Sequence, residues 1–213
     1  MNVIYLHGFA SSSKSTKAGY FADRLHEHGV AMHCPDFNQP DFRTMTLTRM
    51  VDRLGAELRR TTGPSTLIGS SLGGTLAVLG AATFAARVDR LVLLAPAVMF
   101  AKPGHHLLPP ERIEAWRTQG ALPFFHHAYN EERLLNVAFY EDSLAHDAFN
   151  AGFTQPALIF QGLRDASVDH RTVEAFALRR PNVTLSLLDD DHQLIASLPR
   201  MWNDIQPFLG IIE

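Results

Sequence analysis

A serine between glycines is the first group in this sequence that could do chemistry. Residues 69–73 read Gly-Ser-Ser-Leu-Gly, which fits the pattern G-x-S-x-G, and they follow the short apolar run 66–68. In a sharp strand-to-helix turn of this kind the glycines leave room for the bend, and the middle serine is strained with its hydroxyl exposed. The pattern predicts that Ser71 is a nucleophile. Because Gly and Ser are common residues, a chance match in a loop is the alternative.

A nucleophilic serine needs two partners. Its hydroxyl is a weak nucleophile at neutral pH, so a histidine must accept the proton and a carboxylate must orient that histidine. Asp165 lies in a loop after the apolar run 157–160, and His192 lies in a loop after the run 183–188. If these runs are successive parallel strands, the order Ser, Asp, His is the one that the topology imposes. We predict that Ser71, Asp165 and His192 form a catalytic triad.

Other carboxylates compete for the role of the acid. Asp169 is close to Asp165 in the chain, and residues 189–191 are all aspartates. The three consecutive aspartates are too near His192 in sequence for their carboxylates to reach its ring easily. A loop at the end of another strand can bring a carboxylate to the Nδ1 side of the imidazole, which favours Asp165.

Ten further histidines compete for the role of the base. They lie in predicted helices, on a strand approach or in a long insertion, and His7, at the end of the first apolar run, is assigned a structural role in its loop. Adjacent histidines at 105–106 and 126–127 raise the question of a metal. Adjacent residues rarely ligate one ion together, and no cysteine or carboxylate spacing completes a site. We expect neither a metal nor a cofactor.

The charge on a tetrahedral intermediate needs hydrogen-bond donors that are fixed in advance. One predicted donor is the backbone N–H of Leu72, immediately after the nucleophile, and the other is the N–H of Phe9 in the loop after the first apolar run. Gly8 lets that backbone approach closely. The next residues, 10–17, superficially resemble a phosphate-binding loop. They lack the spaced glycines of G-x-x-x-x-G-K-[ST], so nucleotide binding is the weaker alternative.

Short apolar runs alternate with segments of helical periodicity along the chain. The runs are too short for helices and are mostly uninterrupted by polar residues, which is typical of strands covered on both faces. They are residues 3–6, 30–34, 66–68, 91–95, 157–160 and 183–188. Helical spacing occurs at 18–28, 46–58 and 72–86. The alternation predicts an α/β fold with a mostly parallel six-stranded sheet and helices on both faces.

One segment interrupts this alternation. Residues 96–153 are too many for a simple crossover, and we predict a small cap of short helices. Asn130, followed by two glutamates, has the pattern of a helix N-cap with acidic residues in the first turn. The segment carries nine of the aromatic residues of a chain that has 14 Phe, 2 Trp and 4 Tyr. These aromatics line an apolar cavity between cap and sheet or form a core within the cap.

Composition limits the possible partners. The 213 residues, 46% of them hydrophobic, suit a single domain over 1–213. A net charge of -3 with dispersed Lys and Arg argues against nucleic acid and anionic membranes. The longest apolar stretch, 91–101, is far shorter than the roughly 18 residues of a membrane-spanning helix. The single cysteine, Cys34, and the strand-like start of the chain predict a soluble cytoplasmic protein; the oligomeric state is not indicated.

The chain resembles the α/β-hydrolase superfamily, and within it the small YqiA-type bacterial esterases. The resemblance lies in the opening Ile4-Tyr5-Leu6-His7-Gly8-Phe9-Ala10-Ser11-Ser12 with Ser15 and Lys17, in Gly69-Ser70-Ser71-Leu72-Gly73-Gly74, in Gly162 with Asp165, Val168, Asp169 and Arg171, and in His192. It implies an α/β-hydrolase fold and a serine carboxylesterase that cleaves small-molecule esters through an acyl-enzyme. Thioester, amide or carbon–carbon bond hydrolysis on the same triad is the alternative, and a non-catalytic ligand-binding protein is a weaker one.

Overall fold

A parallel β-sheet forms the centre of the molecule. The structure is a computed structural model that describes residues 1–100 and 108–211. Its strands are β1 (Asn2–Leu6), β2 (Met32–His33), β3 (Ser65–Ser70), β4 (Val88–Leu94), β5 (Ala121–His126), β6 (Glu131–Asn136), β7 (Ala157–Gly162) and β8 (Val183–Leu188). Its α-helices are α1 (Thr16–Glu27), α2 (Leu47–Arg60), α3 (Leu72–Thr83), α4 (Pro110–Gln119), α5 (Ala138–Ser143), α6 (His170–Leu178) and α7 (Leu198–Phe208).

The central sheet has the order β2-β1-β3-β4-β7-β8. Every neighbouring pair in it is parallel. Because parallel strands end at the same edge, the loops after β1, β3, β7 and β8 lie along one rim of the sheet. The strand order reverses between β1 and β3, which is where open α/β sheets bind ligands. The predicted six-stranded α/β fold is confirmed.

Helices cover both faces of the sheet, as the apolar strands predicted. Successive side chains of β1 show the division, since Val3 and Tyr5 pack on the face covered by α1 and α7, whereas Ile4 and Leu6 pack on the face covered by α2, α3 and α6. This alternation follows from the two-residue repeat of a strand. Burial on both faces fixes the strands rigidly, so the loops at their ends begin from defined positions.

The segment between β4 and β7 differs from the predicted cap of helices. Helices α4 and α5 are present, but β5 and β6 between them form an antiparallel hairpin. The prediction that a helix begins at Asn130 was wrong. Asn130 has a φ of 54° and ends the hairpin loop, whereas an N-cap residue has extended backbone. Asparagine tolerates this left-handed conformation better than most residues, and the two glutamates that follow it lie at the exposed start of β6.

Two further observations concern membrane-spanning helices and metal sites. None of the described helices is long and apolar enough to cross a lipid bilayer. Over residues 1–100 and 108–211, no group of three or more His, Cys, Asp or Glu side chains could hold a metal ion. His105 and His106 lie outside the described residues.

Candidate active site

The turn from β3 into α3 holds Ser71 in a strained backbone conformation. Its φ is 54° and its ψ is -115°, which are rare for a residue with a side chain. Hydrogen bonds fix the turn, because Ser71 N–H donates to the carbonyl of Leu94 at 2.9 Å and Ala97 N–H donates to the Ser71 carbonyl at 3.1 Å. The strain is therefore imposed by the neighbouring strand β4 and the loop after it.

The glycines on either side of Ser71 are required by close backbone contacts. A Cβ atom on Gly69 would lie 2.3 Å from the carbonyl oxygen of Gly73, and one on Gly73 would lie 1.9 Å from the carbonyl oxygen of Leu6. Both distances are far below van der Waals contact. The G-x-S-x-G pattern thus lets α3 start directly against the ends of β1 and β3, with Ser71 at the bend.

The side chains of Ser71, His192 and Asp165 form a continuous chain of hydrogen bonds. His192 Nε2 lies 3.1 Å from Ser71 Oγ, and His192 Nδ1 lies 2.8 Å from Asp165 Oδ2. Ser71 follows β3, Asp165 follows β7 and His192 follows β8, so three remote loops meet at the rim of the sheet. With Nδ1 protonated toward the carboxylate, Nε2 is free to accept the serine proton.

The environment of Asp165 keeps its carboxylate ionised. Its side chain is fully buried, and Oδ1 accepts hydrogen bonds from the N–H groups of Ser167 and Val168, each at 2.8 Å. Burial by itself raises the pKa of Asp165. The hydrogen bonds from His192, Val168 and Gln161 outweigh burial and hold the pKa of Asp165 below its ordinary value.

Gln161 is a member of the site that the sequence did not reveal. Its side chain is fully buried at the end of β7, and Nε2 donates to Asp165 Oδ2 at 2.9 Å and to the carbonyl of Val168 at 3.1 Å. The amide therefore ties the carboxylate to its own loop. The only signal in the sequence is a polar residue at the end of an apolar run, which is too common to identify this role.

The rival aspartates are engaged elsewhere. Asp169 Oδ1 accepts from Arg171 N–H and caps α6, and Asp191 Oδ1 accepts from Gln193 N–H. Asp190 is buried and accepts from the N–H groups of Asp191 and Ser197, whereas the Asp189 side chain is 82% exposed. Of the described carboxylates, the one that reaches the His192 ring is that of Asp165.

His7 is buried in the loop after β1 and not at the triad. Its Nε2 accepts a hydrogen bond from Phe37 N–H at 3.0 Å, and its Nδ1 lies 2.9 Å from the Gly8 carbonyl oxygen. The ring thus joins the loop after β1 to the loop after β2. His126, in the hairpin, is also buried, and its ring packs against Phe42 and Tyr129.

The loop after β1 lies directly beside the nucleophile. A Cβ atom on Gly8 would lie 3.3 Å from the Ser70 carbonyl oxygen and 3.4 Å from Ser71 Cβ. Phe9 and Leu72 both line the cavity that Ser71 faces. Within the described part of the chain, neither the Phe9 N–H nor the Leu72 N–H has a hydrogen-bond acceptor. Both donors are thus available to a group bound next to Ser71.

A cavity of about 980 Å³ opens over Ser71 and His192. Four of the nine aromatic residues of the 96–153 segment line it, which supports the predicted apolar cavity; they are Phe100, Trp116, Phe124 and Phe139. Others pack elsewhere, since Phe149 and Phe153 contact Phe176. A polar wall of the cavity comes from the start of α1 and the residues before it, namely Ser11, Ser12, Lys14, Ser15, Thr16 and Lys17.

The sheet order, the strained serine turn and the segment between β4 and β7 together define an α/β-hydrolase fold. Solved structures of this class superpose on almost the whole chain. Est1E from Butyrivibrio proteoclasticus with bound ferulic acid has a TM-score of 0.84 and 22% identity, over 98% of this chain and 87% of that one. Alpha/beta hydrolase domain-containing protein 10 from mouse has a TM-score of 0.81 and 21% identity, over 98% and 89%. A monoacylglycerol lipase from Paleococcus ferrophilus has a TM-score of 0.78 and 14% identity, over 98% and 93%.

The sequence itself assigns the family. The profile of the uncharacterised protein family UPF0227 matches residues 2–209, and the chain belongs to that family. No curated protein shows significant similarity to the chain.

Proposed function

We propose that this protein is a serine hydrolase that cleaves small carboxylic esters through an acyl-enzyme intermediate. The observation that carries the proposal is the hydrogen-bonded series from Ser71 Oγ through the His192 ring to Asp165 at the floor of a cavity. A strained serine alone fits many loops. A strained serine joined to an imidazole whose far nitrogen contacts a buried carboxylate is the arrangement that nucleophilic acyl transfer requires.

The reaction follows from the protonation states of these groups. His192 Nε2 removes the Ser71 proton as Oγ attacks the ester carbonyl, and the buried Asp165 carboxylate stabilises the imidazolium and keeps Nδ1 protonated. The imidazolium then gives its proton to the departing alcohol oxygen, which leaves an acyl group on Ser71. Water attacks this acyl group with His192 again as the base, and the carboxylic acid is released.

The two free backbone N–H groups beside Ser71 serve as the oxyanion hole. Phe9 and Leu72 donate to the carbonyl oxygen as it gains negative charge, and rigid donors of this kind are worth about 3 kcal/mol of barrier each. Their positions are set by Gly8, whose backbone packs against Ser70 and Ser71, and by the start of α3. No metal or cofactor is needed for any step of this mechanism.

The names of the structural neighbours agree with this chemistry. One binds ferulic acid, and another is a lipase for monoacylglycerols. Both names concern esters or carboxylic acids of modest size, and a cavity of about 980 Å³ accommodates such a molecule. The dispersed positive charges argue for a small molecule rather than nucleic acid as the partner, and we keep the cytoplasm as the proposed location.

Replacing the nucleophile tests the proposal. Ser71→Ala should lower kcat for 4-nitrophenyl butyrate by about 10⁴-fold or more, because the acyl-enzyme can no longer form. Ser13→Ala is the matched control, since Ser13 is exposed and does not line the cavity, and its rate should equal that of the wild type. Equal turnover by wild type and Ser71→Ala would refute the proposal.

The bond that is cleaved is decided by a substrate panel. The same triad serves thioester, amide and carbon–carbon bond hydrolysis, so the geometry of Ser71 does not separate them. Comparing kcat/KM for oxygen esters and thioesters with the same butyryl group isolates the leaving group. A strong preference for the thioester would replace the esterase proposal with a thioesterase. Turnover of neither, with no acyl adduct on Ser71, would favour a ligand-binding protein.

A further inference from the structure

The start of α1 carries positive charge where a helix usually places negative charge. The first turn contains no acidic residue, and Lys17 is its second residue, after Lys14 in the preceding loop. A helix N-terminus already bears a partial positive charge, so lysines there are unfavourable without an anion nearby. This helix end forms part of the polar wall of the cavity over Ser71. The helix start and its lysines therefore give this part of the cavity a positive potential.

Lys17 is buried in that wall and is not part of an ion pair. It is 7% exposed, yet among the described residues no carboxylate lies within 4 Å of its ammonium group and none accepts a hydrogen bond from it. Burial lowers the pKa of Lys17 to about 8, and the charges of Asp165, Asp191 and Asp190 counteract part of that effect. Those carboxylates are already held by backbone N–H groups. The ammonium thus lies near the triad with unused donors.

Tyr5 gives an independent sign of a missing partner. Its side chain is fully buried and lines the same cavity, and its hydroxyl has no hydrogen-bond partner among residues 1–100 and 108–211. The hydroxyls of Ser15 and Ser70 are close enough to lower the tyrosine pKa somewhat against the larger effect of burial, but neither is hydrogen-bonded to it. A buried hydroxyl without a partner is costly, and such groups are rare in folded proteins.

Backbone donors complete the group. Ala18 N–H donates to the side chain of Ser15, whereas the N–H groups of Thr16 and Lys17 have no acceptor in the described chain. The wall therefore offers an ammonium, two N–H groups at a helix N-terminus and a tyrosine hydroxyl. All of these groups can donate hydrogen bonds, and all belong to residues that line the same cavity. Such a set matches an anionic oxygen group.

We propose that the start of α1, with Lys17 and Tyr5, binds a carboxylate or phosphate group on the ester whose carbonyl is attacked by Ser71. This inference rests on the proposed esterase function and narrows its substrate to esters with an anionic arm. The aromatic wall receives the apolar arm, and the carbonyl lies between the two walls beside Phe9 and Leu72. Chemically, the substrate is an amphiphilic ester with one anionic end.

The test compares neutral and anionic esters that share one acyl group. The substrates are 2-methoxyethyl, carboxymethyl and 2-phosphoethyl butyrate. A separate pair, monomethyl succinate and neutral methyl butyrate, places the charge on the acyl side instead. Hydrolysis is followed by acid release for wild type, Lys17→Met and Lys14→Met. Met keeps the length of the lysine stem and fits an apolar site. Lys14 lines the same cavity but is exposed, so its variant removes a nearby positive charge and keeps the buried ammonium of Lys17.

The wild type should prefer one anionic ester over the neutral one, mainly through a lower KM. Lys17→Met should lower kcat/KM for that ester by about 10- to 100-fold, the effect of a buried charged hydrogen bond, and leave the neutral ester within about twofold. Lys14→Met should change the anionic ester by less than about threefold, because an exposed charge is screened. The better of the carboxymethyl and 2-phosphoethyl esters identifies the anion.

Two results would overturn the inference and leave the esterase proposal intact. One is an equal loss for neutral and anionic esters in Lys17→Met, which would make Lys17 a support for the triad loops. The other is an equal loss of kcat/KM for the anionic ester in Lys14→Met and Lys17→Met, which would indicate only long-range electrostatic attraction and no binding site at Lys17. If the wild type hydrolyses no ester, the esterase proposal fails. The anion site is then tested by itself, by titrating succinate and inorganic phosphate into wild type and Lys17→Met. Equal binding to the two proteins would overturn the anion site.

Tyr5→Phe supplies a second variant that does not depend on Lys17. Removing a buried hydroxyl that lacks a partner should raise Tm of the free protein by a few degrees or leave it unchanged. The same change should lower kcat/KM for the preferred anionic ester by about 3- to 10-fold and spare the neutral ester. A lower Tm, or an unchanged rate with the anionic ester, would contradict a role in anion binding.

Discussion

At the level of single residues, the site contains two buried ionisable groups, Asp165 and Lys17, that differ in how many hydrogen-bond partners the protein gives them. The Asp165 carboxylate accepts hydrogen bonds from four donors, which are the side chains of Gln161 and His192 and the N–H groups of Ser167 and Val168. The Lys17 ammonium has none of its donors used by the described residues. Asp165 is therefore satisfied by the protein itself, whereas Lys17 is left for a ligand.

This difference predicts how the stability of the protein depends on pH. The pKa of Lys17 falls from its ordinary value of 10.5 to about 8 on folding, so between these values the unfolded chain binds more protons. The free energy of unfolding contributed by Lys17 consequently rises with pH from about 8 to 10.5. Below pH 8 the buried charge costs up to about 3 kcal/mol.

Urea unfolding of wild type and Lys17→Met at several pH values measures this cost. Lys17→Met should be the more stable protein at pH 7, and its advantage should shrink as the pH rises through 8 to 10.5. Lys14→Met serves as the control, because Lys14 is exposed and its variant should differ from wild type by a constant amount. A constant difference for Lys17→Met as well would show that its ammonium is solvated.

The site residues that could be predicted from the sequence are those that lie in a motif or directly after a strand. Ser71 lies in a spaced motif, and Asp165 and His192 each follow an apolar run, so their positions relative to the sheet follow from topology. Gln161 has no such context, and its role depends on contacts across the β7 loop. The burial of Lys17 depends in the same way on how α1 packs. Functional residues at strand ends can therefore be predicted from the sequence, whereas those whose role depends on tertiary packing cannot.

At the scale of elements, the turn between β3 and α3 is the most constrained part of the fold. Gly73 sits where α3 meets the end of β1, and an added Cβ would fall within 1.9 Å of the Leu6 carbonyl oxygen. That oxygen belongs to a buried strand in the centre of the sheet, so it cannot move away as an exposed side chain could. The helix and the nucleophile depend on this contact together.

Gly73→Ala should therefore destabilise the protein by about 3 kcal/mol or more, measured by urea unfolding, since the backbone must shift to admit the methyl group. Gly19→Ala is the matched control in α1. Nothing lies within 4 Å of a Cβ at Gly19, so alanine should stabilise the helix by about 0.5–1 kcal/mol. Equal effects of the two substitutions would contradict the close packing of α3 on β1.

The hairpin of β5 and β6 shows where local patterns mislead. Asn130 with two following glutamates fits a helix N-cap, but the same residue type suits the left-handed end of a hairpin loop. In the structure β5 alternates in burial, with Leu122 and His126 buried and Pro123 and Phe125 exposed, but the residue types do not show it because the buried residue 126 is a histidine and the exposed residue 125 is a phenylalanine. With only six residues in each strand, that alternation is hard to distinguish from a helical pattern.

At the scale of the whole molecule, the site exists because loops remote in sequence meet at one rim. Ser71 and His192 are separated by 121 positions and yet share a hydrogen bond, because β3 and β8 run parallel in one sheet. The sheet was predictable, since buried parallel strands leave uninterrupted apolar runs. The cavity above it was predictable only in outline, because its walls come from α1 and from the segment between β4 and β7, whose packing no periodicity specifies.

The most direct measurement of the central claim is the rate at which a fluorophosphonate labels the folded protein, with the adduct located by mass spectrometry. The protein should carry one adduct, on Ser71, and Ser71→Ala should carry none. Asp165→Asn should slow labelling by about 10²- to 10⁴-fold because the histidine loses its orienting carboxylate. Asp189→Asn, which removes an exposed carboxylate from the loop before His192, should label at the wild-type rate. No adduct on Ser71, or equal rates for Asp165→Asn and Asp189→Asn, would contradict the account.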